Sequence, residues 1–353
     1  MRRETRWRGL AAAALATAAL AAWAPARAQT DITALARRTG PDREARLLAG
    51  ARKEGEVDVY STLVSEDMAA VAAAFEKKYG IKVKYWRASS ENVLQRAVTE
   101  AKSGRYDVDV IETNGPELEA LAREKLLAPA TTVHEADLLP QSIRPDRRWT
   151  GLRLNMFVQA YNTNLVKPAD LPKTYRDLLD PKWKGKLAIE ADDADWFAAV
   201  VRDMGETEGL RFFRDLVRTN GIGMRKGHTL LAGLVASGEI PLALTLYNHN
   251  AERMKKKGAP IDWFQIQPAY ARVNGVSVAA RSPHPHAALL LFDYMLGPEG
   301  QEILQKANYI PINTKLKNPN TRSSLRFIDP AITLDSGGKW EKHFDDIITH
   351  QAR

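Results

Sequence analysis

Cysteine is absent from the 353 residues of this chain. Without a thiol, the protein cannot build a zinc finger, an iron–sulfur cluster, a thiol nucleophile or a redox pair. The absence identifies no compartment, because oxidising and reducing spaces both tolerate such a chain. The chain is 44% hydrophobic and 27% charged. These values are typical of globular proteins, so disordered and collagen-like classes are excluded and one or two domains are expected.

Enzyme signatures are also missing. The sequence contains no P-loop, no G-x-S-x-G, no H-E-x-x-H and no G-x-G-x-x-G after a predicted strand. His284 and His286 stand two residues apart around a proline, just before a predicted helix. That context favours a loop and helix-cap role over a metal site. The sequence therefore predicts a protein that is not an enzyme.

The first 28 residues have the three parts of a secretory signal. Four arginines lie within residues 2–8, residues 10–24 carry no charge, and Ala26-Arg27-Ala28 offers small residues to a signal peptidase. This pattern predicts export to the periplasm with cleavage after Ala28. The alternative is an uncleaved membrane anchor, but 15 mostly alanine residues are short for a bilayer, which needs about 20.

Removal of the signal changes the charge of the protein. The full chain has a formal charge of +8, and residues 1–28 hold five arginines and one glutamate. The mature chain therefore keeps 46 basic and 42 acidic residues, a net charge of about +4. This balance is too mild to indicate a polyanionic partner, so we expect no binding to nucleic acid.

The mature chain alternates short β-rich runs with longer helical patterns, which predicts an α/β fold with mainly parallel sheets. The first region has predicted strands at 56–60, 81–86 and 108–111, and helices at 66–78, 91–102 and from about 117. The second region has predicted strands at 186–189 and 241–246, and helices at 196–204, 208–218 and 229–236. A strand at 275–280 and helices at 286–294 and 299–306 follow.

Polar turns follow five of these predicted strands at their carboxyl ends, where open α/β sheets bind ligands. Several also precede helices, whose free backbone N–H groups can hold an anion. Helix capping explains any one turn, but five at corresponding strand ends indicate a binding cleft. The turns are Ser61-Thr62, residues 88–91, Thr113-Asn114, residues 190–196 and residues 247–250.

The turn at 190–196 is unusually acidic. Glu190, Asp192, Asp193 and Asp195 fall within six residues, beside Trp196. One aspartate serves as a helix cap, but four carboxylates exceed that need. If the turn faces the cleft, it predicts a cationic or amine-bearing ligand or a metal ion, with the tryptophan ring over the cation. If it faces solvent, it is an ordinary surface acidic run.

Several segments, in order and spacing, resemble the periplasmic substrate-binding components of ABC importers, and the ferric-ion-binding branch in particular. The resemblance extends from about residue 54 to residue 312. Its segments are FEKKYGIKV at 75–83, DVDVIETN at 107–114, LDPKWKGKLAI at 179–189, ASGEIPLAL at 236–244 and PHAALLLFDYMLGPEGQEIL at 285–304.

The resemblance implies a type II periplasmic-binding-protein fold, in which two α/β lobes close on a ligand like a Venus flytrap. Lobe 1 would comprise residues 54–156 and 270–353, and lobe 2 residues 162–263. Residues 157–161 and 264–269 would be the hinge crossings. The implied partner is an ABC importer permease, and we expect a monomer.

Ferric-ion binders of this kind typically hold iron with a histidine after the first strand, an acidic residue after the third and a pair of adjacent tyrosines. This chain has Val64, Asn114 with Glu112 nearby, and Asn248-His249 beside Tyr247 at those places. Hard Fe(III) needs anionic oxygen ligands, which an amide and an imidazole do not supply. If a metal such as Fe(III) is bound, its expected ligands are Glu190, Asp193 and Tyr247; no other cofactor is expected.

The leading hypothesis is thus a solute-binding protein that captures iron or a small organic solute, such as an amine or phosphonate, and delivers it to a permease. Two alternatives are a secreted metal-dependent hydrolase that uses the carboxylates at 190–195, and a ligand sensor for a membrane receptor. The predicted cleft residues are Ser61, Thr62, Ser89, Ser90, Asn114, Glu190, Asp193, Asp195, Trp196, Thr229, Tyr247 and His249.

Overall fold

The computed structural model describes residues 32–317 and 325–349. The predicted export signal lies outside the described residues. Within the described ranges, no helix combines the length and apolar character needed to cross a membrane.

The described ranges contain twelve α-helices. They are α1 (Ile32–Arg37), α2 (Arg43–Glu54), α3 (Ser65–Tyr79), α4 (Ser90–Lys102), α5 (Gly115–Arg123), α6 (Ala194–Met204), α7 (Glu206–Asn220), α8 (His228–Ser237), α9 (Asn248–Lys256), α10 (Pro285–Leu296), α11 (Pro298–Lys306) and α12 (Pro330–Phe344).

The same ranges contain twelve strands. They are β1 (Glu56–Ser61), β2 (Lys82–Arg87), β3 (Val110–Asn114), β4 (Leu127–Ala128), β5 (Thr150–Asn162), β6 (Leu187–Glu190), β7 (Gly223–Arg225), β8 (Leu242–Tyr247), β9 (Ile261–Phe264), β10 (Ala269–Ala279), β11 (Ile310–Pro311) and β12 (Leu325–Ile328).

The main sheet has the strand order β2-β1-β3-β10-β5-β8-β6-β7. The first three strands are parallel to one another, as are the last three, and β10 and β5 join the two groups through antiparallel pairs. We call β2, β1 and β3 with α3, α4 and α5 the first half, and β8, β6 and β7 with α6, α7, α8 and α9 the second half. The prediction of an α/β fold with mainly parallel strands is confirmed.

The first half forms around parallel strands whose apolar side chains are buried against its helices. Val59 and Ile111 are buried there with Phe75 of α3. That helix ends at Gly80, which has a φ of 73° and donates its backbone N–H to the Glu76 carbonyl oxygen. Glycine adopts this left-handed conformation without the penalty that a Cβ imposes. The cap turns the chain directly into β2.

The second half has a separate core that is rich in aromatic side chains. Trp196, Phe197 and Phe213 bury one face of α6 against α7, with ring centroids 4.5 to 6.0 Å apart. Trp340 and Phe344 of α12 join the same core, while α12 also contacts α5. The carboxyl-terminal helix therefore packs on both halves.

Two long central strands connect the halves. The first part of β5 pairs with β10, and its second part, from Phe157, pairs with β8 and β9. Gly275 of β10 lies at an irregularity of the β5 pairing, where a Cβ would come within 2.8 Å of Leu118, Trp149 and the Thr150 carbonyl oxygen. The predicted crossings at 157–161 and 264–269 correspond to the second part of β5 and the residues from β9 to the start of β10. The lobe boundaries stay a prediction.

Several secondary-structure elements differ from those that the sequence predicts. Thr113 and Asn114 belong to β3 rather than to a turn, and residues 248–250 form the first turn of α9. Elements that the sequence analysis did not predict include α1, α2, β12 and α12. The sequences of β12 and α12 have little regular apolar periodicity, so a local pattern does not predict them. Packing against distant segments of both halves stabilises these two elements.

Candidate solute-binding site

Four polar residues lie side by side on the two central strands. Arg153 and Asn155 of β5 pair directly with Asn274 and Arg272 of β10. Directly opposed residues of antiparallel strands project to the same face. All four are at most 8% exposed. We call these four residues the central polar row.

Arg153 is held by the first half. Its guanidinium lies 3.0 Å from the Glu112 carboxylate, donates to the Asn155 Oδ1 at 3.1 Å and covers the ring of Tyr309 at 4.6 Å. Glu112 is fully buried, so the ion pair is shielded from solvent. The charge of each partner is compensated by the other.

Glu112 also collects hydrogen bonds from the turn after β1. Its Oε2 accepts from the Ser61 hydroxyl at 2.7 Å, from the Thr62 backbone N–H at 2.8 Å and from the Leu63 backbone N–H at 3.0 Å. Ser61 and Thr62, both predicted to line the cleft, therefore bind a carboxylate of the protein itself. We call Glu112, Arg153, Ser61, Thr62 and Leu63 the first cluster.

Amide side chains connect the first half to the central polar row. Asn114 Oδ1 accepts from the Asn274 Nδ2 at 3.1 Å and from the Asn155 Nδ2 at 3.4 Å. Asn274 also donates to the Thr62 hydroxyl at 3.3 Å. The structure thus brings the predicted cleft residue Asn114 into the network. The Asn274 Oδ1 is buried and accepts no hydrogen bond from the described residues.

Arg272 is held by the acidic turn of the second half. Its Nη2 donates to the Asp193 Oδ1 at 3.1 Å and also to the Asp195 carboxylate. The guanidinium lies 4.9 Å from the centroid of Phe157 and 5.7 Å from that of Tyr247. Burial raises the pKa of Asp195, although Arg272 acts in the opposite direction. One buried cation therefore faces two buried carboxylates.

Glu190 and His228 extend this group. Glu190 accepts from the backbone N–H groups of Gly227 and Asp192, each at 2.7 Å. Burial and the charge of Asp193 raise the pKa of Glu190 to about 7. His228 Nε2 lies 3.4 Å from the Asp193 carboxylate. Burial lowers the pKa of His228, but the charge and hydrogen bond of Asp193 together with the charge of Glu190 raise it overall. We call Glu190, Asp193, Asp195, His228 and Arg272 the second cluster.

A further carboxyl group faces the second cluster from the first half. Burial raises the pKa of Glu117, in the first turn of α5, to about 7, partly offset by Arg272. The Glu117 Oε2 is buried and accepts no hydrogen bond from the described residues. The carboxyl groups around Arg272 and His228 therefore outnumber these two cationic side chains.

Three side chains of the second cluster have the geometry of a metal site. One ligand atom from each of Glu190, Asp193 and His228 lies within 4.8 Å of the other two. Tyr247, which the sequence analysis placed in this set, has its ring centroid 3.8 Å from that of His228. Burial raises the pKa of Tyr247 well above its ordinary value, so the phenol is neutral. His228, which was not predicted as a ligand, lies beside the two carboxylates, and the role of Tyr247 as a ligand stays a prediction.

Aromatic rings connect the two clusters. The rings of His228, Tyr247, His249 and Tyr309 follow one another with centroids 3.8, 5.5 and 4.2 Å apart. Burial and the charge of Arg153 lower the pKa of His249 well below its ordinary value. His249 is thus neutral. The structure places the predicted cleft residues Tyr247 and His249 between the first and second clusters.

The remaining predicted cleft residues lie at helix starts. Ser89 caps α4, and its hydroxyl accepts from the Asn92 backbone N–H at 3.3 Å. Ser90 is the first residue of α4, and Thr229 is an exposed residue in the first turn of α8. The Lys226 ammonium lies 3.9 Å from Glu91 of α4 and 3.4 Å from Asp192. The amino ends of α4 and α8 therefore face each other across the two halves.

Trp196 does not lie over the second cluster. Its ring is 1% exposed and packs against Tyr175 and Phe213 in the second core, 6.0 Å from each ring centroid. The expected stacking on a cation is wrong for this residue, because α6 turns its apolar face towards α7. The tryptophan contributes to packing rather than to the site.

Arg153, Asn155, Arg272, Asn274, Glu112 and His228 were not predicted as site residues. A signal for four of them is present in the sequence: polar residues recur at every second position of otherwise apolar runs, in RLN at 153–155 and RVN at 272–274. Period-two alternation predicts a strand with one polar face. Within a buried strand, such a face indicates a site.

Residues 70–324 match the model of a protein family described as bacterial extracellular solute-binding protein. The Fe(3+)-binding periplasmic protein of Serratia marcescens is 28% identical over 243 residues, covering 66% of this chain and 71% of the relative. The major ferric iron-binding protein of Neisseria gonorrhoeae is 26% identical over 289 residues, covering 76% of this chain and 84% of the relative.

Solved structures share the fold. Iron-bound HitA from Pseudomonas aeruginosa has a TM-score of 0.72 at 24% identity, covering 83% of this chain and 99% of its own. AfuA from Actinobacillus pleuropneumoniae, with fructose-6-phosphate bound, has a TM-score of 0.74 at 20% identity, covering 84% and 99%. The predicted type II periplasmic-binding-protein fold is therefore confirmed. Because the family model spans most of the sequence, this chain belongs to the bacterial extracellular solute-binding protein family.

Proposed function

We propose that this chain is the periplasmic solute-binding subunit of an ABC importer and that its cargo is a transition-metal cation, with iron the foremost candidate. The observation that carries the proposal is the buried group of Glu190, Asp193 and His228, whose ligand atoms lie within 4.8 Å of one another. The Serratia and Neisseria relatives, named for binding ferric iron, support the same class of cargo.

The electrostatics of the second cluster favour a cation. Glu190 and Glu117 have raised pKa values because their charges are buried next to other carboxylates. A bound cation would allow Glu190 to ionise and would offset the repulsion from Asp193. Two carboxylates and one imidazole suit iron, manganese or zinc, but they supply less anionic oxygen than Fe(III) prefers. We therefore propose a broader metal selectivity than a site with paired tyrosinates would have.

Capture would couple to closure of the two halves. Arg253 of α9 forms an ion pair with Asp67 of α3, and the Asn248 Nδ2 donates to the Asn308 carbonyl oxygen at 3.1 Å. Both contacts join α9 to the region around α3 and α11. A ligand that touches both halves stabilises the closed form by its differential affinity. The protein would then dock on the permease as a monomer, without catalysing a reaction.

The experiment uses the mature chain from residue 29, stripped of metal and titrated with ferric citrate, Fe(II), Mn(II) and Zn(II). We expect one equivalent to bind, seen by native mass spectrometry and calorimetry. Glu190→Gln and His228→Gln should each weaken binding by at least about tenfold. Asp192→Asn is the matched control, because Asp192 belongs to the same turn but is exposed. Equal affinity in all four proteins, or no metal bound, would refute the proposal.

A second candidate cargo is a small organic anion, favoured by the two buried guanidinium groups of the central polar row. Arg153 pairs with Asn274, and Arg272 pairs with Asn155. Guanidinium groups bind carboxylates and phosphates with directional hydrogen bonds. This candidate predicts an organic adduct in native mass spectra of protein purified without added ligand. If the wild type carries an organic adduct and no metal, and Arg272→Lys loses that adduct, the cargo is the organic anion.

A further inference from the structure

A concavity, which we call the α4–α5 cavity, lies in the first half at the amino end of β3. The polar network described above lies at the opposite, carboxyl end of that strand. The cavity has a volume of about 270 Å³ and is bounded by α4, by the loop after α4, by the segment after α5 and by the end of β10. It shares no residue with the first cluster or the second cluster.

Most of the buried residues that line the α4–α5 cavity are apolar. Ala97, Val108, Ile111 and Ala279 are buried there, and Leu126 is half-buried. An apolar cavity of about 150 Å³ accommodates benzene. A volume of about 270 Å³ therefore holds a single ring together with one polar substituent. These apolar residues would contact the apolar part of a ligand.

The mouth of the cavity is cationic. Arg105, Lys125 and Arg281 are exposed there, and within residues 32–317 and 325–349 no acidic side chain lies within ion-pair distance of any of the three. The Arg281 guanidinium lies 4.6 Å from the centroid of Tyr106, which also lines the cavity. This stacking orients the arginine at the mouth.

The acidic residues of the cavity do not cancel these cations. The Glu100 carboxylate accepts a hydrogen bond from the Tyr60 hydroxyl, whose oxygen lies 2.9 and 2.7 Å from the two carboxylate oxygens. It also accepts one from the Arg96 Nε–H at 2.7 Å. Its charge is therefore compensated by Arg96. Glu124 is exposed at the rim. Three cationic groups thus face one solvated carboxylate, so the mouth complements an anion.

We propose that the α4–α5 cavity binds a small carboxylate with a single apolar ring, as a ligand site separate from the cargo site. The ring contacts Val108, Ile111 and Leu126, and the carboxylate meets Arg281 and Lys125 at the mouth. The proposal does not depend on which cargo the protein carries, because the two sites have no residue in common.

Benzoate is the probe. The mature wild-type chain, with isoleucine, leucine and valine methyl groups labelled with carbon-13, is titrated and followed by nuclear magnetic resonance. We expect saturable shifts of the Ile111, Val108 and Leu126 methyl groups. Benzamide has the same shape without the charge, and it should bind at least about tenfold more weakly, because a charge-assisted contact contributes more than about 1.4 kcal/mol.

The variant that tests the mouth is the double charge reversal Lys125→Glu with Arg281→Glu, which should weaken benzoate binding by at least about tenfold. Lys184→Glu with Lys186→Glu makes the same change in charge on exposed residues of the second half and should leave binding unchanged. Linear shifts without saturation, equal binding of benzamide, or equal weakening by both double variants would each overturn the proposal.

Discussion

The first and second clusters contrast in how they balance charge. In the first, Glu112 meets Arg153 and several donors from the turn after β1, so the buried carboxylate is fully paired. In the second, Asp193 and Asp195 share the single guanidinium of Arg272. Glu190, next to them, has a pKa raised to about 7 by burial and by Asp193.

The difference separates a cluster that stabilises the fold from a cluster that, under the proposed function, binds the cargo. A buried carboxylate that is paired with a guanidinium and accepts several hydrogen bonds gains little from another ion. A buried group with surplus carboxylates gains much from a cation, because the cation removes repulsion that the fold otherwise has to tolerate. The site that binds cargo is therefore expected at the second cluster, while the first cluster fixes the strands on which the central polar row stands.

The largest expected effect comes from breaking the first cluster. Glu112→Gln removes a charge without changing the shape of the side chain, and it leaves the Arg153 guanidinium buried without a counter-charge. We expect a loss of about 3 kcal/mol in the free energy of unfolding, because breaking a buried ion pair strands the remaining charge. Urea unfolding curves measure it. A loss below about 1 kcal/mol would show that the first cluster is not a structural anchor.

A smaller effect is expected from the second core next to the second cluster. Trp196→Leu replaces a ring that is 1% exposed and leaves space between α6 and α7. We expect a loss of about 2 kcal/mol in the free energy of unfolding with unchanged metal stoichiometry and affinity. Calorimetry with the same metals checks the second part. A loss of metal binding without a comparable loss of stability would show that Trp196 belongs to the binding site.

The corresponding isosteric substitution in the second cluster should have a smaller effect than Glu112→Gln. Asp195→Asn removes one of two carboxylates that share Arg272, and Asp193 remains to compensate the guanidinium. We expect the free energy of unfolding to fall by about 1 kcal/mol or less, the value of one hydrogen bond. The comparison with Glu112→Gln under identical conditions is the measurement. Equal losses in the two variants would erase the distinction between the clusters.

The smallest effect concerns pH. Because the folded pKa of Glu190 lies near 7, above its ordinary value of 4.5, the folded protein holds this proton more tightly than the unfolded chain does. Its contribution to stability is present below pH 4.5 and is lost as the pH rises through about 7. Glu190→Gln should therefore reduce the decline in stability of the metal-free protein between about pH 5 and pH 8.

Thermal unfolding of the metal-free protein across that pH range is the measurement. His228 also has a raised pKa, and its contribution changes with pH in the same direction, so the variant should retain part of the decline. An unchanged profile would mean that Glu190 is ionised throughout and that the second cluster carries no surplus acid.

Much of the fold could be predicted because its periodic signals are local. Strands such as β1 and β8 and helices such as α7 lie within two or three residues of their predicted bounds. The turn at 190–196 was recognised as unusual from composition, and two of its carboxylates, Asp193 and Asp195, do meet a buried cation. The partner was not predictable, since Arg272 lies 79 residues from Asp193 in the chain.

The sequence by itself determined the α/β alternation and the excess of acid at 190–195, because each depends on residues close together in the chain. The order and spacing of its segments determined the family resemblance. Only the tertiary structure decided which carboxylates are compensated. Pairing of β5 with β10 sets Arg153 beside Asn274 and Arg272 beside Asn155, and folding of the two halves brings Glu112 to one guanidinium and Asp193 to the other. Charge balance in a buried site depends on distances of a few ångströms between distant segments, which only the folded chain defines.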